Sequence, residues 1–387
     1  FKIVPGITEI ISGDVSISNI RDVELEDLLG REPVTLDSES ISTYIKDKVI
    51  LITGAGGSIG SELTKQILKF NPKTLILIDN AEYNIFNAEL GLNNYQPTTK
   101  KNFSAEVILI ISDIKDEIKI EKIISKYKPN VIFHAAAYKH VTLMEINPEE
   151  AVKNNILGTK IVANLASKYN IERFVMISTD KAVNPTSIMG ATKRAAELII
   201  QDLSLKNSKT KFMAVRFGNV LGSSGSVIPI FKEQIRRGGP VTVTDPEVIR
   251  YFMTTEEASQ LVIQAGSMGE KGEIFCLNMG TQVKIDDLAK DLIELSGFRP
   301  NIDIKIEYIG LRPGEKKYEE ILIKEENIKS SSHKKIFIET PEQIDGKKLE
   351  KDISEIIDLT NNKNINKEMI INKLKEIVPS YNPRNNK

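Results

Sequence analysis

The chain of 387 residues has few of the residues that build covalent or metal-held structure: one cysteine, three histidines and no tryptophan. Because Cys276 is the only cysteine, no internal disulfide can form, and a reducing compartment is the simpler setting. These cysteine and histidine counts are too low for the usual zinc sites. We therefore expect a fold that depends on an apolar core and holds no metal.

A long apolar run is also lacking. No stretch of about 18 consecutive apolar residues occurs, so the sequence predicts no transmembrane helix, and no segment resembles a signal peptide. The 52 basic and 53 acidic residues give a formal net charge of −1. That balance argues against nucleic acid or an anionic membrane surface as a partner. With 41% apolar and 27% charged residues, the composition is typical of a globular protein with a large core.

From Lys48 onward, short apolar runs alternate with helix-like stretches. The predicted strands are 49–52, 74–79, 106–111, 131–134, 173–178 and 211–217, and the predicted helices are 59–70, 82–94, 117–126, 148–169 and 188–206. Apolar strands that alternate with helices indicate an α/β fold with a doubly wound parallel (Rossmann) sheet. We expect four regions: a connector at 1–46, a nucleotide-binding Rossmann domain at 47–220, a smaller mixed α/β substrate lobe at 221–340 and a peripheral helical tail at 341–387.

A glycine-rich turn, Thr53-Gly-Ala-Gly-Gly-Ser-Ile-Gly60, follows the first strand and opens the first helix. Such glycines provide a tight turn, close approach to a pyrophosphate and packing of helix on strand. The helix N-terminus offers free N–H groups to phosphates. A purely structural turn is the alternative, but the strand before it and the helix after it favour a dinucleotide site. The predicted contacts are Gly54, Gly57, Ser58, Ile59 and Gly60.

Residues at the ends of the next strands extend this predicted site. Asp79 ends the second strand, about 20 residues after the last glycine, where a carboxylate accepts hydrogen bonds from the adenosine ribose. Because the same carboxylate repels a 2′-phosphate, NAD is favoured over NADP. The remaining candidates are Asp113 and Ile114 for the adenine, and the small residues Ala135, Ala136 and Ala137 for close approach of the backbone.

Six motifs occur in order: Thr53–Gly60, His134–Val141, Asn154–Thr159, Ser178–Pro185, Arg216–Ser223 and Leu311–Glu315. Together they resemble the extended short-chain dehydrogenases that act as UDP-N-acetylglucosamine 4,6-dehydratases in bacterial polysaccharide and glycoprotein biosynthesis. The resemblance covers about residues 1–340. It implies a tightly held NAD, oxidation at C4, loss of water between C5 and C6, and hydride return to C6. The product would be UDP-2-acetamido-2,6-dideoxy-4-hexulose, a precursor of bacillosamine-type or fucosamine-type sugars.

The chain departs from the usual pattern of these enzymes at Met189, which stands where a catalytic tyrosine belongs. A thioether has no titrating proton, so Met189 cannot do the tyrosine's work, and packing in the core is its simpler role. The resemblance points to the membrane-anchored, long-form branch of the family. The start at Phe1 rather than at a methionine, and the junction-like Leu28–Pro33, imply an inner-membrane anchor outside this chain and a domain facing the cytoplasm.

The resemblance implies roles for the catalytic candidates. Lys193 would hold the nicotinamide ribose and bring positive charge near O4, and Thr179 would hydrogen-bond the O4 hydroxyl. Asp180 would protonate the departing O6, and Lys181 would take the C5 proton, for which its pKa must be lowered by burial or by Lys193. The group that takes the O4 proton stays open between Asp180 and a water relayed through Thr179. A solvent-facing ion pair is the alternative for Asp180 and Lys181.

Substrate contacts and partners follow from the same resemblance. The diphosphate candidates are Lys139, Asn219, Arg250 and Arg312, and the uridine-ribose candidate is Glu315. Both arginines have solvated surface charge as their alternative. A homodimer through the helices near 82–94 and 148–169 is expected by analogy. Three other functions stay open: a C5-inverting dehydratase, a UDP-sugar 4-epimerase and a non-catalytic NAD-binding regulatory module.

Overall fold

The computed structural model describes residues 2–3, 21–22, 34–94, 105–207, 209–320, 328–339 and 343–384. Most of the predicted connector at 1–46, including Leu28–Pro33, lies outside the described residues. Its described end forms a helix, Ser38–Ile45, whose residues Ile41, Tyr44 and Ile45 are buried in the main core.

Strands and helices alternate through the middle of the chain. The described strands are β1 Lys2–Ile3, β2 Arg21–Asp22, β3 Val49–Thr53, β4 Thr74–Asp79, β5 Glu106–Ile111, β6 Val131–His134, β7 Arg173–Thr179, β8 Lys211–Phe217, β9 Asn219–Val220, β10 Val241–Val243, β11 Ile249–Met253, β12 Ile274–Leu277, β13 Gln282–Lys284, β14 Ile306–Tyr308, β15 Ile328–Ser330 and β16 Ile336–Glu339. The described helices are α1 Ser38–Ile45, α2 Ser58–Leu68, α3 Glu82–Asn94, α4 Glu117–Tyr127, α5 Val141–Ile146, α6 Pro148–Ala151, α7 Thr159–Lys168, α8 Ile188–Lys206, α9 Val227–Arg236, α10 Thr255–Met268, α11 Ile285–Leu295, α12 Gly346–Leu359 and α13 Lys367–Ile377. A π-helical turn, Val152–Gly158, joins α6 to α7, and a 3-10 turn, Asp180–Ala182, follows β7.

The largest sheet in the described part of the chain has nine strands in the order β15-β16-β12-β8-β7-β6-β3-β4-β5. All neighbours from β5 to β12 pair in parallel, and β16 and β15 add an antiparallel edge. This confirms the doubly wound α/β fold. The chain runs outward in opposite directions from β3 and β6, and the crevice above such a switch point is where folds of this kind bind ligands.

The smaller lobe packs around its own apolar core, which includes Phe231, Val241, Phe252 and Leu292. It comprises β9, β10, β11, β13 and β14 with α9 and α11. The chain does not stay in this lobe, however. Helix α10 and strands β12, β15 and β16 return to the main sheet and its core. The predicted division at residue 220 is therefore too simple, because the main sheet is completed by residues well beyond it.

The tail predicted at 341–387 is not peripheral. Helices α12 and α13 contribute Ile353, Ile356, Ile370 and Leu374 to an apolar core shared with α8 and with the turn Val152–Gly158. These side chains are at most 1% exposed. The sequence alone does not show this, because charged residues of both signs dominate the exposed faces of both helices.

The same packing bears on the expected homodimer. Most residues of the helix at 148–168 are buried within this chain, partly under α12 and α13. The apolar residues of this helix are thus largely used within the chain, and the homodimer stays a prediction. On α3, by contrast, Tyr83, Phe86 and Leu90 are 69%, 49% and 42% exposed. Among the described helices, none is long and apolar enough to cross a membrane.

Candidate active site

The glycine turn lies at the switch point, between the ends of β3 and β6. Gly54 has φ +66°, and a Cβ there would lie 2.7 Å from the backbone of Ala136. A Cβ on Gly60 would lie 2.1 Å from the carbonyl oxygen of Gly54. Glycine is therefore required at both positions by sterics alone. The structure brings the predicted glycines and the predicted Ala135–Ala137 segment together.

Helix α2 begins at Ser58, immediately after Gly57, and no side chain caps its first turn. Its leading N–H groups and dipole therefore point toward the crevice, as an anionic phosphate requires. Ser58 accepts a hydrogen bond from the backbone N–H of Ser224 at 3.1 Å, which ties the smaller lobe to this helix. Ile59 packs against the main core. These contacts fit a dinucleotide pyrophosphate at the helix N-terminus.

Asp79 is buried at the end of β4 and supports the turn. Its Oδ2 accepts from the N–H of Gly56 at 3.1 Å, and its Oδ1 accepts from Ala81 N and Asn84 Nδ2. A carboxylate has about four lone-pair sites, so one remains for a ribose hydroxyl. The role predicted for Asp79 is thus compatible with a second one, the bracing of the glycine turn.

The adenine candidates lie one strand further out. Asp113 pairs with Lys115 at 3.2 Å, and its Oδ1 accepts from the backbone of the same residue. Ile114 is buried against Gly158, where a Cβ would lie 2.5 Å from the isoleucine side chain. Of the small residues after β6, Ala137 is half-buried like Ala135 and Ala136. These placements leave the adenine contact of Asp113 and Ile114 as a prediction.

Thr179, Asp180 and Lys181 follow β7 and form a compact hydrogen-bonded group. Oγ1 of Thr179 donates to Oδ1 of Asp180 at 2.8 Å, and Nζ of Lys181 donates to the same oxygen at 3.0 Å. Asp180 is 0% exposed, and among the described residues no donor reaches its Oδ2. Asp180 is therefore buried, and Lys181, whose side chain is 21% exposed, faces the cavity rather than the open surface. A buried carboxylate oxygen without a donor is unusual and marks a site where a ligand group can bind.

The pKa of Lys181 differs from the expectation. Burial acts to lower the pKa of this lysine, but the negative charges of Asp180 and Glu319 outweigh burial and raise the pKa above its usual value. Arg250 opposes them only in part. The predicted lowering of the Lys181 pKa is wrong for the free protein, because two carboxylates surround the ammonium. Lys181 is therefore charged before a substrate binds.

Lys193 lies four residues after Met189 on α8 and is 4% exposed. Its Nζ donates to the carbonyl oxygen of Ile177 at 2.8 Å. Burial lowers the pKa of Lys193 to about 8, against the opposing charge of Glu197. A lysine held at the end of β7 with such a pKa is poised to lose its charge near neutral pH.

Met189 is 3% exposed and packs in the apolar core that α8 shares with the tail. It contributes no polar atom to the site, in agreement with a packing role. The neighbouring site loop is also held by the tail, because Pro185 and Thr186 accept backbone hydrogen bonds from Asn382 and Arg384. The tail thus supports the loop that leads into α8.

A cavity of about 170 Å³ opens between the end of β7 and the segment at 312–319. Its charged lining consists of Lys181, Arg250, Arg312, Glu315, Lys316 and Glu319. The structure therefore gathers three of the predicted substrate residues around the predicted catalytic lysine. Sequence reasoning missed Lys316 and Glu319, because it stopped at the motif Leu311–Glu315 and no spacing rule places the next residues in the site.

The predicted substrate residues differ in burial. Arg250 is buried; its Nη1 donates to the carbonyl oxygens of Ile249 and Lys317, and its Nη2 donates to that of Lys316 and to Glu315. Since its terminal donors are committed, the structure does not favour Arg250 as a diphosphate ligand. Its role here is to organise the segment at 315–319.

Asn219 and Lys139 are neighbours of Lys181 outside the cavity lining. Oδ1 of Asn219 accepts from Nζ of Lys181 at 3.1 Å, so this side chain orients the lysine rather than a diphosphate. Partial burial lowers the pKa of Lys139, and the nearby charge of Lys181 lowers it further. Arg312 is exposed at the cavity rim. Lys139 and Arg312 are thus the better placed cations for a diphosphate.

A family described as "Polysaccharide biosynthesis protein" matches residues 50–341. The chain belongs to this family. Two bacterial members illustrate the relationship. The capsular polysaccharide biosynthesis protein CapD of Staphylococcus aureus is 53% identical over 334 residues, which are 86% of this chain and 55% of CapD. The probable polysaccharide biosynthesis protein EpsC of Bacillus subtilis is 56% identical over 327 residues, 84% of this chain and 53% of EpsC. The chain thus spans about half the length of these relatives.

Other similarities bear on the chemistry of the wider group. The crystal structure of Pen from Bacillus thuringiensis has a TM-score of 0.69 and 36% identity, and the match covers 77% of this chain and 90% of Pen. A UDP-glucose 4-epimerase of Rickettsia rickettsii is 34% identical over 73% of this chain and 80% of its own length. The dTDP-glucose 4,6-dehydratase DesIV of Streptomyces venezuelae, solved with NAD bound, has a TM-score of 0.58 at 21% identity, covering 67% of this chain and 84% of DesIV. The chain therefore has the extended short-chain dehydrogenase fold that its motifs indicate.

Proposed function

We propose that this chain is the catalytic domain of an NAD-dependent 4,6-dehydratase of UDP-N-acetylglucosamine in bacterial glycan synthesis. The observation that carries the proposal is the pair of buried Asp180 and half-buried Lys181 after β7, at a site where Met189 stands in the place of the tyrosine. An epimerase needs the tyrosine for the O4 proton and has no use for an acid and a base at C5 and C6. A dehydratase needs both the base at C5 and the acid for the departing O6.

NAD, when bound, supplies the hydride acceptor for C4 and the hydride donor for C6. The residues present fit this cofactor, since Gly54 and Gly60 admit no side chain and α2 presents an uncapped N-terminus. Lys193 would lie at the nicotinamide ribose, and Asp79 at the adenosine ribose. A carboxylate at that position disfavours a 2′-phosphate.

The acid and the base belong to the Asp180–Lys181 pair. Lys181 must be neutral before it can take the C5 proton. Asp180 must be protonated before it can give a proton to the departing O6. One proton passed from Nζ of Lys181 to Oδ1 of Asp180, across 3.0 Å, produces both states at once. Thr179 donates to Asp180 in the free protein and would turn to the O4 hydroxyl. If a water relayed through Thr179 accepts the O4 proton, the transfer from Lys181 makes Asp180 the acid. If Asp180 accepts the O4 proton instead, that step makes it the acid, and Lys181 releases its own proton to solvent.

The diphosphate would lie against Lys139 and Arg312, two exposed residues, and Glu315 would face the uridine ribose. Glu315 already accepts from Arg250 and from the backbone N–H of Arg312. That arrangement leaves few of its lone pairs for a ribose, so the Glu315 contact is the weaker part of the substrate assignment. The resemblance further implies that the full-length protein is membrane-anchored, which fractionation of the full-length gene product tests.

Incubation of the purified protein with UDP-N-acetylglucosamine, without added NAD, tests the proposal. Mass spectrometry is expected to show a nucleotide sugar that has lost one water, because the cofactor remains bound and is regenerated in each turnover. An unchanged mass, even with NAD added, would contradict it. NMR of the recovered sugar would then identify an epimerase, the alternative that the Rickettsia relative favours, or an unreactive binding module.

A further inference from the structure

Lys181 has two carboxylate neighbours, and only one of them follows from its sequence position. Its Nζ lies 3.0 Å from Oδ1 of Asp180 and 4.0 Å from Oε1 of Glu319. Glu319 arrives from the far side of the cavity, on the segment that Arg250 organises. The ammonium group is thus enclosed by one carboxylate from the Rossmann domain and one from the substrate side.

The carboxylate of Glu319 is buried, and its hydrogen bonding is incomplete. Its side chain is 3% exposed, and among the described residues no donor reaches its Oε2. The nearest cations, Lys181 and Nε of Arg250 at 3.9 Å, stand too far for hydrogen bonds. Burial disfavours the charge of this carboxylate and no hydrogen bond to Oε2 offsets that cost, so Glu319 binds a proton more readily than an exposed glutamate despite the two nearby cations.

We propose that Glu319 is the positioning residue that sets the charge of Lys181: ionised Glu319 holds the lysine as an ammonium, and protonated Glu319 lets the lysine proton pass to Asp180. The inference rests on the proposed function, in which Lys181 must be neutral before it accepts the C5 proton. One proton from solvent binds to Glu319, and one proton moves from Nζ of Lys181 to Oδ1 of Asp180. No electrons are transferred.

The other charges around these groups agree with this assignment. Burial raises the pKa of Glu319, and Asp180 raises it further, while Lys181, Arg250 and Lys316 lower it, with a net rise. Arg250 also lowers the pKa of Lys181, and Lys139 faces the lysine with like charge. Among these groups, only Asp180 and Glu319 favour a charged Lys181. Because Asp180 is needed for the chemistry, Glu319 is the group whose protonation can change the balance.

The test measures the titration of Lys181 directly. Reductive methylation with ¹³C-formaldehyde labels the lysines of the full chain, and the Lys181 signal is the one absent from a Lys181→Arg variant. We expect Glu319→Gln to lower the pH midpoint of the titration of this signal by about 1 pH unit or more. This is the usual effect of removing an opposite charge at such a separation. Glu320→Gln is the matched control. That neighbour is exposed, pairs with Asn184 and Lys316, and its loss should leave the midpoint unchanged.

An unchanged midpoint in Glu319→Gln, with the fold retained, would overturn the proposal. If that variant does not fold, the titration curve of Lys181 in the unmodified protein tests the proposal. Its Lys181 signal should show a second, smaller inflection below the main one, where Glu319 takes up its proton. A single inflection would then overturn the proposal. Neither readout requires turnover, so failure here is distinct from failure of the proposed dehydration.

Discussion

The two ends of the candidate site are built from different parts of the chain. At the cofactor end, Gly54 and Gly60 lie so close to neighbouring backbone that a single methyl group would not fit. At the substrate end, side chains decide: Asp180, Lys181 and Glu319 place two carboxylates around one ammonium in a buried space. The cofactor end should therefore be intolerant of added atoms, and the substrate end intolerant of altered charge.

The largest effect is expected at the substrate end. Asp180→Asn and Lys181→Ala should each lower turnover of UDP-N-acetylglucosamine by at least about 100-fold, since each removes one partner of the acid-base pair. Bound NAD, measured by absorbance after denaturation, should stay at the level of the unmodified protein. Near-normal turnover in either variant would remove the pair from the chemistry, and loss of NAD would show that the two ends are not separate.

Gly60→Ala addresses the cofactor end. The added methyl would lie 2.1 Å from the Gly54 carbonyl oxygen, so the turn must open and bound NAD should be lost. Gly91→Ala is the matched control, since nothing lies within 4 Å of a Cβ at that helical position. Alanine there should stabilise the protein by roughly 0.5–1 kcal/mol, the usual gain in a helix. Retention of the full NAD content in Gly60→Ala would contradict the steric account.

A third change should destabilise the fold that supports both ends of the site. Glu197 is 0% exposed and binds Arg216 through both oxygens, at 2.7 and 2.6 Å, while Ser178 donates to it at 2.6 Å. Glu197→Gln leaves Arg216 partly uncompensated and should cost about 3–5 kcal/mol in the free energy of unfolding. Glu233→Gln, in an exposed pair with Arg236, should change the denaturant midpoint little. Equal midpoints for the two variants would contradict this.

The same carboxylate gives stability a pH dependence. Burial raises the pKa of Glu197, but Arg216 and Arg194 outweigh it and lower the pKa to about 2. In the unfolded chain a glutamate titrates near about 4.3. The stabilising contribution is therefore complete above the unfolded value and is lost as pH falls from there through about 2. Urea midpoints measured across this window should fall more steeply for the unmodified protein than for Glu197→Gln.

Lys193 predicts a pH limit at the cofactor end. Because burial lowers its pKa to about 8, the positive charge proposed near O4 is lost above that pH. The value of kcat/KM, which reports ionisations of the free enzyme, should accordingly decline above about pH 8. A value that stays constant to pH 10 would show that the charge of Lys193 is not required.

The smallest effect is expected for Met189→Tyr. A tyrosine would overfill the apolar core around this 3% exposed residue, and its hydroxyl would need a partner. The cost should be about 1–3 kcal/mol in stability with turnover at most mildly reduced. A large gain in turnover would mean that the position still serves the chemistry.

How far the sequence predicts the structure also differs between the two ends. The strands and helices up to β8 and the glycine turn follow from periodicity and spacing over short stretches. Backbone geometry of this kind is encoded by neighbouring residues, so one sequence suffices. The helix at 188–206 was predicted with the bounds that the structure shows.

The substrate end and the tail were harder to predict for physical reasons. Glu319 approaches Lys181 from a segment whose carbonyl oxygens accept hydrogen bonds from Arg250, and no local sequence pattern predicts such a contact. The sequence predicts a lowered pKa for Lys181, whereas in the structure the pKa is raised. The difference arises because the sequence gives no sign that Glu319 is a second carboxylate beside the ammonium. The sequence predicts a peripheral tail because charged residues alternate with the apolar residues that α12 and α13 bury.

The most direct measurement follows a deuterium placed at C4 of UDP-N-acetylglucosamine. Dehydration by this site is expected to deliver that label to C6 of a product that has lost one water, with a solvent-derived hydrogen at C5, as NMR and mass spectrometry can show. Return of the label to C4 of a sugar of unchanged mass would contradict the account. In that case the buried pair of Asp180 and Lys181 would not be an acid and a base for elimination.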